Sequence, residues 1–102
     1  MSYEFSTRTD RPLASDDVAR LKRYIQDHST YRIVRDGLRE FGLGLTQDDR
    51  PAPVSEVITV LVRPNEVYVA FHACNGTQRE AFVQCLVDAL AQDGIVGNFE
   101  EL

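Results

Sequence analysis

The residues best suited to chemistry run together in His72-Ala73-Cys74-Asn75-Gly76-Thr77-Gln78-Arg79. The spacing predicts that a strand ends and a helix begins inside this stretch. The free N–H groups of a first helical turn favour an anion and lower the pKa of a nearby thiol. His72 and Cys74 stand two apart, which on a strand puts both side chains on one face. With Arg79 they make the candidate catalytic set: an imidazole, a thiol and a guanidinium.

A cysteine followed by a loop, a helix start and an arginine follows the logic of phosphate- and sulfur-transfer loops. The cysteine-phosphatase spacing is missed by one residue, and Glu80 falls where that pattern needs its arginine. The interval found here suits a rhodanese-type loop, but such domains rest on a larger parallel sheet than this chain supplies. The simpler reading, a small buried cysteine before a capped helix, is preferred, because free cysteine is among the most buried residue types. A small enzyme or anion-binding protein using Cys74 and His72 is kept as the alternative.

Other chemistry finds little footing. Cys74 and Cys85 match neither a disulfide framework nor a zinc pattern. His28, in the last turn of a helix, is explained by the helix dipole. No metal site and no cofactor are expected, and no phosphate loop or nucleophile elbow is present. Arg20, Lys22, Arg23, Arg32, Arg35 and Arg39 could form a basic stripe, but Asp27, Asp36 and Glu40 interleave with them. That mixture suits a solvated face with ion pairs and speaks against nucleic acid.

The charge balance is more informative. The chain has 102 residues and a formal net charge of −5. Its first fifty residues are neutral overall, so the whole excess lies between residues 51 and 102. An acidic surface repels phosphate backbones and attracts basic partners over about one Debye length, roughly 8 Å at physiological salt. The expected role is therefore a small acidic protein-binding module that binds or neutralises a basic protein, without catalysis. Immunity proteins and small secretion chaperones are class-level analogies. The candidate partner-binding residues are Asp48, Asp49, Asp88, Asp93, Glu100 and Glu101. No stretch reaches the roughly 20 apolar residues of a membrane span. The first residues lack the basic and apolar regions of a secretory signal, so a cytoplasmic location is expected.

The elements that must position these residues read as one α+β domain covering residues 1–102. Tyr3-Glu4-Phe5-Ser6-Thr7 alternates as an opening strand. Ser15 reads as an N-cap, and Val18, Leu21, Ile25 and His28 then mark one face of a helix over 16–28. Ile33, Val34, Gly37, Leu38 and Phe41 suggest a second helix over 30–41, closed by Gly42. A strand at Tyr31–Arg35 would instead give the ferredoxin-like order βαββαβ. Residues 46–53 read as a connection. Two strands, 54–62 and 67–73, flank Pro64-Asn65 as a β-hairpin. In the expected register Ile58 faces Phe71, Val60 faces Val69 and Val62 faces Val67, giving one apolar face. The other face carries Val57 with His72 and Leu61 with Tyr68, and is the candidate surface for a homodimer. Thr77 and Glu80 suggest a capping box before a helix bearing Phe82, Cys85, Leu86, Ala89 and Leu90. Gly94 ends that helix, and residues 95–101 suggest a last strand. The preferred order is β-α-α-β-β-α-β, a mostly antiparallel sheet packed on two or three helices.

Overall fold

A computed structural model describes residues 3–45 and 56–102. The elements run β1 (Tyr3–Arg8), α1 (Ser15–His28), β2 (Tyr31–Asp36), β3 (Glu40–Leu45), β4 (Ile58–Arg63), β5 (Glu66–Phe71), α2 (Gly76–Gln92) and β6 (Glu100–Glu101). The six strands form one antiparallel sheet in the order β2-β3-β4-β5-β1-β6. Both helices lie on the same face of it, so the α+β class and the antiparallel sheet are as the sequence suggests.

The β4–β5 hairpin has the expected register at every pair from Ile58 with Phe71 to Arg63 with Glu66. Its Ile58, Val60, Val62, Val67, Val69 and Phe71 are all buried. The helices cover them with Val18, Leu21 and Ile25 from α1 and Phe82, Leu86 and Leu90 from α2. Phe82 meets the Phe71 and Tyr31 rings edge-on, with centroids 5.8 and 5.5 Å apart. Edge-on geometry sets the positive rim of one ring against the negative face of the other.

The helix expected over 30–41 is instead the β2–β3 hairpin. Its apolar spacing was ambiguous because a strand pair also places residues several positions apart on one face. The decisive pattern is Phe41-Gly42-Leu43-Gly44, where Phe41 and Leu43 turn to the core and the glycines to the open face. Gly42 is thus a strand residue, not a helix terminator. A β-bulge between Ile33 and Arg35 leaves Val34 as the extra residue on the outer strand. The element order is therefore β-α-β-β-β-β-α-β, neither the preferred arrangement nor the ferredoxin-like one.

Helix ends also differ from expectation. Ala14, not Ser15, occupies the N-cap of α1, and the Asp17 carboxylate accepts its N–H at 2.8 Å. Helix α2 starts two residues before the Thr77 box. Asn75 Oδ1 accepts the Gln78 N–H and Gln78 Oε1 accepts the Asn75 N–H, both at 2.8 Å. The Asn75/Gln78 pair satisfies two otherwise free N–H groups at once, as the Thr77/Glu80 pair was expected to do. At the far end Gly94 takes φ +71°. Its N–H reaches Ala91 O, and Ile95 N–H reaches Leu90 O, with Ile95 buried beyond it. The chain after Gly94 alternates: Ile95 and Gly97 are buried and Phe99 half-buried, while Val96, Asn98 and Glu100 are exposed. Only Glu100 and Glu101 pair as a strand, against Ser6 and Phe5 of β1.

Candidate functional site

The candidate catalytic set does not assemble. Strand β5 ends at Phe71, so His72 and Cys74 lie beyond it and the same-face expectation no longer applies. His72 is exposed, and its Nε2 lies 2.9 Å from Thr59 Oγ1 on the open sheet face. Cys74 is half-buried against the core on the helix side, with Sγ 3.7 Å from the Tyr31 hydroxyl. Burial and that contact push the Tyr31 hydroxyl up to about 12. Arg79 meets Cys74 through the latter's backbone carbonyl. Its Nη1 donates to the Cys74 carbonyl at 2.7 Å, and its guanidinium stacks 3.7 Å over the Tyr3 ring. Burial raises the Cys85 thiol above its ordinary value. Among the described residues no group of histidine, cysteine and carboxylate side chains converges as metal ligands would.

The open face of the sheet, expected to be mixed, is mainly polar and largely satisfied internally. Glu56 lies across it, taking Arg35 Nε at 2.8 Å and the Thr59 hydroxyl at 2.5 Å. The Arg35 guanidinium, followed by the Thr59 bond, holds the Glu56 carboxyl below its usual range. Gly42 makes this crossing possible, because a Cβ there would meet Glu56 Oε1 at 1.8 Å. The Tyr68 hydroxyl donates to Glu4, and Ser6 Oγ donates to Glu66 at 3.1 Å. Leu61 and Tyr68 are only half-exposed, and Val57 packs partly against the core.

The six candidate partner-binding carboxylates are scattered. Asp48 and Asp49 lie outside the described residues. Asp93 is taken up by a structural cluster. Arg20 Nε binds it at 2.8 Å, while Arg20 and Arg11 both hold the buried Asp17. Arg11 also donates to the Asp93 carbonyl, which ties the start of α1 to the end of α2. Asp88 is exposed and accepts the Gln84 side-chain amide at 2.9 Å. Glu100 and Glu101 are exposed on β6, at the sheet edge.

The structure does bring together a grouping that the sequence reading missed. A surface groove of about 440 Å³ runs between α2 and the β1/β6 edge. Phe5, Val83 and Phe99, all half-buried, supply its apolar walls. Glu80, Glu101 and Arg79 supply its charge. Glu101 stands opposite Phe5 across the β1–β6 ladder, so it shares Phe5's face, whereas Glu100 is opposite Ser6 on the open face. Glu80 leads a row with Gln84 and Asp88 at four-residue spacing, which runs along one side of α2. That spacing was legible in the sequence, whereas the approach of Phe5 and Phe99 to Val83 was not. Glu80, Glu100 and Glu101 take part in none of the described ion pairs. Compared with known protein families, curated proteins and solved structures, the chain matches none.

Proposed function

We propose that this protein is a binding module for a protein partner with a basic surface, whose exposed charge it masks. The observation that carries the reading is the acid at the α2/β6 flank that enters none of the described ion pairs: Glu80 and Glu101 border the groove, and Glu100 adjoins Glu101 on β6. Asp17, Asp36, Asp93, Glu40, Glu56 and Glu66 are engaged by arginine or lysine, whereas Asp10, Asp16 and Asp27, exposed and more dispersed, enter none of the described ion pairs either. Exposed carboxylates outside ion pairs set up a field that speeds encounter with a basic protein and selects against acidic ones. Neutralising a toxin-like protein, as immunity proteins do, or escorting one before secretion, is the kind of role this flank suits. A cytoplasmic location belongs to the same proposal, since the free Cys74 and Cys85 are ordinary there. The alternative, chemistry at Cys74, loses support because His72 and Arg79 are held by other partners.

The test is affinity capture from the native cell at low and at high salt, followed by identification of what is retained. The expected result is a basic protein kept at low salt and shed at high salt. Retention of nothing at low salt, or of an acidic protein indifferent to salt, overturns the proposal.

A further inference from the structure

We propose that the groove between α2 and the β1/β6 edge receives a short extended segment of the basic partner, with one large apolar side chain flanked by lysine or arginine. The inference rests on the binding-module reading and adds to it a place and a ligand chemistry. Three features of the groove argue for this occupant.

Part of its wall is apolar. Phe5, Val83 and Phe99 are each half-buried against the core and leave part of their surface toward the groove. Covering that surface is favourable by roughly 25 cal/mol per Å². The volume of about 440 Å³ admits one large side chain with its adjoining backbone.

Its charge is net negative, two carboxylates against one guanidinium. Glu80 stands on the helix side and Glu101 on the strand side, so an occupant meets a carboxylate on both flanks. Arg79 lies in the same groove, but its guanidinium is stacked on Tyr3 and bonded to the Cys74 carbonyl. A lysine or arginine on either side of the apolar anchor would complement Glu80 and Glu101. An acidic segment would be repelled.

The groove also borders a sheet edge. Strand β6 pairs with β1 on one side and ends the strand order on the other. The outer edge of a strand presents N–H and C=O groups suited to an added extended segment. An extended occupant can thus use main-chain bonds to β6 as well as the side-chain groove.

The experiment is an amide-resolved NMR titration of the whole chain with three capped pentapeptides: Lys-Lys-Phe-Lys-Lys, Lys-Lys-Ser-Lys-Lys and Glu-Glu-Phe-Glu-Glu. The first is expected to shift amides at Phe5, Val83, Phe99 and Glu101, and to bind at least about threefold more tightly than the serine peptide. The acidic peptide is expected to shift nothing there. The double variant Glu80→Lys/Glu101→Lys should weaken the first peptide about tenfold, two charge reversals together being worth about 1.4 kcal/mol. Asp16→Lys/Asp27→Lys on α1 changes the net charge equally and should weaken it less than about threefold. Shifts centred elsewhere, equal binding of the serine peptide, or equal loss in both double variants overturn the groove. These outcomes leave the binding of a basic partner standing, because the capture experiment reads that separately.

Discussion

Gly42 shows how much one missing side chain decides. It lies on β3 facing the open side of the sheet, and the Glu56 carboxylate occupies the place of its absent Cβ. That position lets Glu56 reach Arg35 on β2 and Thr59 on β4 together. In an ordinary strand, replacing glycine by alanine gains about 0.5–1 kcal/mol from the unfolded chain's lost freedom. Here Gly42→Ala must displace Glu56, so the gain is expected to vanish in the native background and to return in Glu56→Ala protein. Urea unfolding of the four proteins of this cycle should give a coupling of about 1 kcal/mol. A coupling near zero would mean that Glu56 is not held across Gly42 in solution. The same attention to single side chains explains why the His72/Cys74/Arg79 set failed. Strand β5 ends before His72, and Thr59, Tyr31 and the Cys74 carbonyl each claim one member; Thr59 and Tyr31 are remote from the motif in sequence.

At the scale of elements, the two helices are joined by charge as well as by the core. Asp17 is 6% exposed and receives Arg11 at 3.0 Å, Arg20 at 2.6 Å and the Ala14 N–H. These bonds, led by Arg11, hold its carboxyl at about 2, below the ordinary 3.8. A depressed carboxyl stabilises the fold while it is ionised. The contribution is whole above about pH 4 and fades as pH falls through about 2. At about 1.4 kcal/mol per pKa unit, and discounted for two guanidiniums that remain half-exposed, it amounts to roughly 1–2 kcal/mol. Asp17→Asn should lose that amount at pH 7 and converge with the native protein near pH 2. Urea midpoints at pH 7, 4 and 2.5 read this directly: the gap should shrink to about a third of its pH 7 size at pH 2.5, and an undiminished gap there would contradict it. The elements themselves were legible in unequal measure. The β4–β5 hairpin and α1 carry uninterrupted patterns with a turn or acidic first turn beside them. The β2–β3 hairpin was hidden because Gly37 and the Val34 bulge break its alternation, so a helical stripe fitted its apolar residues as well.

For the molecule as a whole, among the described residues, helices cover one sheet face and mostly polar side chains line the other. The open face offers Leu61 and Tyr68, both half-buried, as its apolar patch among Glu4, Arg35, Glu40, Glu56, Arg63 and Glu66. A stable protein interface buries about 800 Å² on each partner. Leu61 and Tyr68, ringed by charges already paired within the chain, supply only a small apolar part of such an area. Light scattering at high concentration should therefore report the mass of one chain. Twice that mass would restore the hairpin face, Val57, Leu61, Tyr68 and His72, as a dimer surface. The sequence by itself determined the α+β class, the core strands with their register, both long helices and the acidic second half. Those properties follow from periodicity and composition, which act between near neighbours or over the sum of charges. The tertiary structure alone decided that Asp93 is neutralised while Glu80 and Glu101 are not, and that Phe5, Val83 and Phe99 border one groove. Pairing and enclosure depend on which distant segments come within a few ångströms, and only the closed chain sets those distances.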